Sequence, residues 1–454
     1  EVPVNSIFFK KFVLDLQEDP WEMCRMLGEK MPSVVKACMA GPSLRPFELD
    51  ESKEMVKLFI KMLADRGALN RAQVMANTSG QVERAISWYA PFLKETGIQF
   101  VLALSYTISP RHTDEYYARK TREILSLQPD AIYLKDQGGL LTPDRVKTLI
   151  PAILENAGNT PVELHSHCTT GLAEAVYVEA LKLGVKTIHT AIPPLANGSS
   201  QPSVFSMAKN ARYLGYSHAL NEDEIREASK KLQSIAQLEQ LPEGAPLEYD
   251  YGQYIYQIPG GVISNLRHQL KTLKLEDRLD EVLEETIQVR KDLGYPIMIT
   301  PYSQYVVTQS VVNVVTGERY KQIIDEIILF AYGVFGEDSG YPWMDQNLKD
   351  RCLSLPRAKE VYERYKQSSA DVPLKKIREQ LGDPYLSDEE LVLRYIMKGE
   401  QEIKKMRAAG PYKRYLNRPS ALSSLLKELE KYKSTKLIHI QTENGSLLLR
   451  RNRR

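Results

Sequence analysis

AIYLKDQGG (131–139), PVELHSHCTTG (161–171) and KTIHTAIPPL (186–195) decide the fold. Each opens on a short run rich in β-branched and aromatic residues and closes on Gly, Pro or Ser among polar side chains, so each reads as a buried strand feeding a loop. Helical patterns over 143–156 and 172–183 separate them. Strands and helices alternating roughly every 25–30 residues form βαβ units, and hence a parallel sheet. When such a sheet closes into a barrel, its chemistry gathers at the C-terminal strand ends. Lys135, His165, His167 and His189 all fall at such ends.

Toward the N-terminus, QFVLALSYTISP (99–110) is a further buried strand. ALNRAQVMAN (68–77) reads as a strand that ends at Arg71 and runs into a loop. Glu51 to Arg66 is a helix with Met55, Leu58, Phe59 and Met62 on one face, stopped by Gly67. Residues 80–96 are helical, residues 6–31 give one or two amphipathic helices, and Thr113 or Asp114 caps another. Beyond His189, Ser200-Gln201-Pro202-Ser203 starts a helix that ends near Gly215.

From about Asn221 the alternation stops, and helices are expected over 222–239, 264–292, 316–334, 357–368 and 387–409. A Tyr-rich stretch (246–263) closes on Pro259-Gly260-Gly261, read as a tight turn. This predicts a second, mainly helical domain. Pro411 to Arg418 reads as a linker, Pro419 to Lys433 as a helix, and KLIHIQTENGSLLLRR as a hairpin turning at Asn444-Gly445.

The 454 residues allow two or three domains. Sixty basic against 58 acidic residues leave a net charge of +2, so no whole-chain field calls for nucleic acid or an acidic membrane surface. Four cysteines without a CxxC pair fit a reducing cytosol. No apolar run approaches the roughly 20 residues that span a bilayer. A cytoplasmic protein is expected.

His165 and His167 lie two apart on a strand, so their rings leave the same face and can converge on one cation, although ordinary strand ends carry such pairs too. Lys135 closes the neighbouring strand. An ammonium has no lone pair to give a metal, so Lys135 is either carbamylated or a strand-end lysine paired with a carboxylate. Arg71 suits the bidentate grip of a small carboxylate, or equally a structural ion pair.

The motifs then become specific. LKDQGGLLTP resembles the K-D-M-A-G-L-L-x-P segment, and ELHSHCTTG the H-x-H-x-T-x-G segment, of the carboxyltransferase components of biotin-dependent enzymes: pyruvate carboxylase, the alpha chain of oxaloacetate decarboxylase and the central component of transcarboxylase. EDPWEMCRML, SYTISPRHTDEYY, SSQPS, QIPGGVISNLRHQL and ITPYSQYVVTQSVVNVVTGE resemble family segments in the family's order, across about 18–337. SDEELVLRYIM resembles a later one. The likeness implies an α/β fold: a TIM (β/α)8-type barrel over 1–221 without its N-terminal unit, a mainly helical funnel domain over 222–412, and a carrier-like helix-hairpin docking tail over 413–454.

It also implies residue roles. His165, His167 and carbamylated Lys135 would bind a divalent metal (Zn, Mn or Co), Arg71 would hold the substrate carboxylate, and Thr300 would shuttle a proton between substrate and biotin. The implied reaction moves CO2 between N1 of biotin and the methyl carbon of pyruvate or a related 2-oxo acid. No M-K-M biotinylation motif is present, so biotin would arrive on a carrier domain or on a biotin carboxyl carrier protein, alongside biotin carboxylase subunits. A homodimer is implied as well.

Several segments depart from the family. Its first-strand D-x-x-x-R-D, which supplies a metal-binding Asp, has no counterpart here. Its R-G-Q-N is AGPS (40–43), its F-R-x-F-D-A is NRAQVM (70–75), K-D-M-A-G is KDQGG, and a usual acidic residue is His189. Changes so near the substrate imply a different acceptor acid or lost activity, and with it the alternative of a non-catalytic scaffold subunit. A metal-dependent aldol lyase or condensing enzyme is a third reading, opposed by Lys135 and by the PGG and ITPYSQ segments.

Overall fold

The computed structural model of the chain describes residues 2–38, 44, 51–368, 372–410, 437–442 and 445–450. They fall into two compact units, Glu1–Pro411 and Tyr412–Arg454. In the first, seven strands form one sheet in sequential order: β1 (Val2–Pro3), β2 (Lys36–Cys38), β3 (Arg71–Met75), β4 (Gln99–Ser105), β5 (Ala131–Asp136), β6 (Val162–Ser166) and β7 (Thr187–Ile188). Every neighbouring pair is parallel. Helices cross over between them, among them Lys53–Asp65, Asp114–Leu125, Pro143–Leu154 and Ala173–Lys182. This is the TIM-like α/β architecture that strand–helix alternation requires.

Period-two alternation along the strands sorts the interior into two cores. Ala72, Val74, Leu102, Leu104, Ile132, Leu134, Val162 and Leu164 face the crossover helices, where they pack with Phe59, Leu93, Ile124, Leu149 and Val176. Their alternates Met75, Val101, Ala103, Ala131 and Tyr133 pack instead with Ile258, Val262, Met298, Tyr302, Val306 and Ile327 of the later helical segment. In phase with that second set, and farther along the strands, come Ser105, Lys135 and His165. One face of the sheet is therefore mostly apolar near its middle, where Gln73 and Glu163 are the polar members, and polar at its C-terminal ends.

Several expectations need correction. Arg71 opens β3 instead of ending it, because the apolar run that defines the strand lies after it. KTIHTAIPPL is not a buried strand: β7 has two residues, exposed or half-buried, and among the described residues it pairs only with β6. Pro259 caps the helix Gly260–Leu273, so Pro-Gly-Gly starts a helix and does not make a tight turn; a fixed φ and a missing N–H suit that position.

The helix expected over 264–292 breaks at Lys274, whose φ of 59° is left-handed, and resumes as Leu279–Asp292. The one expected over 387–409 breaks likewise at Lys398, giving Asp388–Met397 and Gln401–Ala409. Over 316–334 the chain instead ends the helix Tyr302–Thr316 at Gly317 and begins Asp325–Ala331.

In the second unit Leu437–Thr442 and Gly445–Arg450 pair antiparallel as a hairpin. The linker 411–418, the tail helix 419–433, the turn residue Asn444 and the AGPS segment 40–43 lie outside the described residues. Among those described, no helix is long and apolar enough to cross a membrane.

Candidate active site

β5 and β6 pair with Lys135 opposite His165 and Asp136 opposite Ser166. The loops that follow are locked together. Buried Asp136 accepts from Leu140 N (2.7 Å), Leu141 N (2.9 Å) and Ser166 Oγ (2.7 Å), while Thr169 and Thr170 donate to the carbonyls of Gly138 and Gly139, each at 2.5 Å. Gly139 has φ +63°, and a Cβ there would collide with Thr169 Oγ1 and the His167 carbonyl. Gly139→Ala should therefore destabilise the chain by about 2–4 kcal/mol, from left-handed strain plus overpacking; a shift in urea midpoint at unchanged slope measures it.

This packing sets two imidazoles edge to edge, their planes inclined at 61°, with His165 Nε2 and His167 Nε2 3.0 Å apart. Gln201 Nε2 lies 3.1 Å from the latter and 3.3 Å from the former. His167 Nδ1 is 2.5 Å from the Ser199 carbonyl, which only accepts, so the Nε2 of the neutral ring holds the lone pair. His165 Nδ1 lies 3.2 Å from His189 Nδ1, and His189 Nε2 lies 2.9 Å from Glu163 Oε2.

Glu163 also takes a bond of 2.5 Å from Arg71, whose other terminal nitrogen donates to Gln99 Oε1 at 2.9 Å. Among the described residues the buried Arg71 Nε–H has no partner.

Burial lowers the proton affinity of His165 well below the ordinary imidazole value, helped by His167, His189 and the charge on Lys135. Burial likewise lowers His167 to about 4, against the Ser199 hydrogen bond and with a contribution from Lys135. Both rings are thus neutral, with lone pairs to offer. Burial opposes ionisation of Glu163, but the His189 hydrogen bond and the Arg71 charge outweigh it and hold the carboxyl below its usual range.

The pH dependence of stability follows. Because the unfolded chain takes up a proton on the His167 imidazole near pH 6.5 and the folded chain only near 4, its contribution is complete above about 6.5 and is lost as pH falls toward 4. Urea unfolding of metal-free protein should lose about 3 kcal/mol across that window, and His167→Gln should flatten the slope.

Lys135 is buried, and burial alone lowers it to about 8. Among the described residues no carboxylate or other group pairs with its ammonium. Cys168, beside the histidines in sequence, is pushed up to about 12 by burial and stays a thiol. Among the described residues no group of three His, Cys, Asp or Glu side chains is placed to hold a metal, so a cation here would rest on the two imidazoles together with Lys135.

Thr300 precedes the helix Tyr302–Thr316 and accepts from Gln304 at 3.1 Å. Its segment reaches the strand tips through Met298, whose carbonyl is 3.4 Å from Gln137 Nε2, two residues after Lys135. Arg71 belongs to the same polar cluster through Glu163 and His189, entering it from the start of its strand. Glu163 and Gln201 were not foreseen, and His189 was seen only as a strand-end histidine and a departure from the family. The signal for Glu163 was its alternation with His165, since both occupy the same strand face.

Residues 56–232 match the HMGL-like family and residues 254–446 the conserved carboxylase domain. The chain is 34% identical to a pyruvate carboxylase subunit of Methanocaldococcus jannaschii, over 71% of this chain and 56% of the relative. It is 33% identical to the 5S component of the methylmalonyl-CoA carboxyltransferase of Propionibacterium freudenreichii, over 71% of this chain and 63% of that one. Among solved structures, the carboxyl transferase domain of Rhizobium etli pyruvate carboxylase, determined with pyruvate and biocytin, shares the fold at a TM-score of 0.75 and 20% identity, covering 98% of this chain and 77% of that domain. The chain belongs to the carboxyltransferase family that includes the Methanocaldococcus pyruvate carboxylase subunit, and it spans a little over half the length of that relative.

Proposed function

We propose that the chain is a biotin-dependent carboxyltransferase subunit that moves CO2 between carboxybiotin and pyruvate or a related 2-oxo acid, forming or decarboxylating oxaloacetate. The observation that carries this reading is the pair of imidazoles with Nε2 atoms 3.0 Å apart, beside a buried lysine that has no acidic partner among the described residues. The donor set fits a divalent cation (Zn, Mn or Co) held by His165, His167 and N-carboxylated Lys135, which would lend Lewis acidity toward a 2-oxo acid.

The chain's own groups do the rest. With its proton affinity lowered to about 8, the Lys135 amine is free in on the order of a tenth of molecules at neutral pH, some hundredfold more than for an ordinary lysine. It adds CO2 to give an N-carboxylate and releases one proton. The Arg71 Nε–H, buried and without a partner among the described residues, is a donor that this side chain has left for a substrate carboxylate, while Glu163 fixes the guanidinium. The Thr300 hydroxyl would carry a proton between the substrate methyl group and biotin.

Biotin would come on a carrier domain or a biotin carboxyl carrier protein, with biotin carboxylase as a further subunit and the chain as a homodimer. Barrel (1–221), helical funnel (222–412) and docking tail (413–454) are the domain reading that goes with it. A cytosolic location agrees with four free, buried cysteines. Oxaloacetate labelled in the transferable carboxyl, incubated with the metal-loaded chain and a biotinylated carrier, should pass label to the carrier. Metal-loaded chain that transfers none contradicts the proposal.

A further inference from the structure

We infer that the cavity between the loops following β4 and β5 is a binding site for a small organic anion, its charged end toward His112 and the starts of two helices, its apolar body against Tyr106, Leu140 and Tyr254. The inference goes beyond the reading above and does not rest on it.

The cavity holds about 480 Å³, within the roughly 300–1,000 Å³ of small-molecule sites. Its walls come from residues 106–114, from residues 140–145 and from Tyr254. None of Lys135, His165, His167, Arg71 and Thr300 lines it.

Three features of these walls ask for negative charge. Thr113 and Thr142 line the cavity and cap the helices Asp114–Leu125 and Pro143–Leu154, each of 12 residues. Two positive dipole ends therefore meet there. The acidic side chains of those first turns are already engaged: Asp114 by Arg145, Glu115 by Arg122 at 3.0 Å, and Asp144 by Lys147 at 3.4 Å.

Arg290, 5% exposed, stands behind the same wall. Its Nη2 donates to Thr107 Oγ1 and to the Ile108 carbonyl, both at 3.0 Å, and its Nε to the Pro296 carbonyl at 3.2 Å. These acceptors are neutral, and among the described residues no carboxylate pairs with the guanidinium. A buried cation without a counter-charge is costly; an anion across the wall offsets it.

His112, also 5% exposed, lines the cavity, and among the described residues its Nε2 has no partner. Burial, with the charges of Arg111 and Arg290, keeps the ring neutral. Its Nδ1 lies 2.6 Å from Ser109 Oγ, which already accepts from Arg111 N at 3.1 Å. Among the described residues the Ser109 hydroxyl has no other acceptor, so it donates to Nδ1 and the hydrogen of the ring sits on Nε2. An anionic oxygen satisfies that donor, and the apolar walls favour an organic body over a bare inorganic ion.

Benzoate and phenyl phosphate, with benzyl alcohol as the uncharged control, are to be titrated into the full chain and followed by imidazole NMR, the His112 signal being assigned with His112→Phe. At least one anion should bind with a Kd of about 1 mM or tighter and shift the His112 signal; which one does so tells a carboxylate ligand from a phosphate. His112→Phe, which keeps a ring against Tyr116 and Tyr117, and Arg290→Met should each weaken that anion about 10–100-fold, the loss of a hydrogen bond or charge facing an anion. Thermal midpoints without ligand show whether each variant folds, and the wild-type titration decides even where Arg290→Met does not.

No binding of either anion up to about 10 mM overturns the inference. So does benzyl alcohol binding as tightly, an anion affinity unchanged in His112→Phe, or displacement by excess pyruvate, which would put the anion at Lys135.

Discussion

Replacing His165 with Ala is expected to remove the divalent cation and to cut carboxyl transfer by on the order of 10³-fold, the several kcal/mol that a Lewis acid contributes where charge develops. The ring is almost wholly buried, its two nitrogens already assigned to His189 and to the space shared with His167. One remaining imidazole and Lys135 make too small a ligand set for tight binding. Loss of packing must be told apart from loss of chemistry, so metal content, thermal midpoint and transfer rate are to be read on the same preparation. A folded His165→Ala chain that transfers at the wild-type rate would favour the non-catalytic scaffold.

The second large effect is expected at Lys135. An arginine there keeps the positive charge but is always protonated and cannot become an N-carboxylate. Lys135→Arg should therefore lose metal binding and at least 10³-fold in transfer, more than a substitution that merely shortens the chain, because it sets a fixed cation beside the metal. Were Lys135 acting as an ammonium, arginine would preserve much of the activity.

The wild type should respond to CO2 in turn: metal loading should rise with added bicarbonate. It should slow as pH falls below about 8, where burial places the loss of free amine. Loading that ignores both bicarbonate and pH would contradict the N-carboxylate.

Much of this arrangement could be read from residue order, and the parts that could not share a physical cause. His165 and His167 were legible because a strand's period of two puts residues i and i+2 on one face. Lys135 was legible as the end of a neighbouring strand. His189 stood out only as a strand-end histidine, since its partnership with His165 depends on β7 pairing with β6 in the register that sets Leu164 opposite Ile188. Nothing in the chain around position 189 states that register.

Arg71 was misplaced because a polar residue at the edge of an apolar run can begin a strand as readily as end one. The helix breaks at Lys274 and Lys398 went unseen for another reason: both are left-handed lysines, and only Gly or Asn at those positions would have announced the turn. Gln201 was read as part of a helix start. Its nearness to both imidazoles comes from the loop after β7, which returns Ser199 and Ser200 to the β6 tip through His167 and Cys168.

The most direct measurement is 13C NMR of the chain equilibrated with 13C-bicarbonate and Zn2+. If Lys135, His165 and His167 share one cation, a single carbamate carbon should appear in proportion to bound zinc, vanish in Lys135→Arg and fade in His165→Ala together with the metal. Zinc bound in full with no carbamate carbon, or a carbamate signal unchanged when His165 is removed, would contradict the shared site.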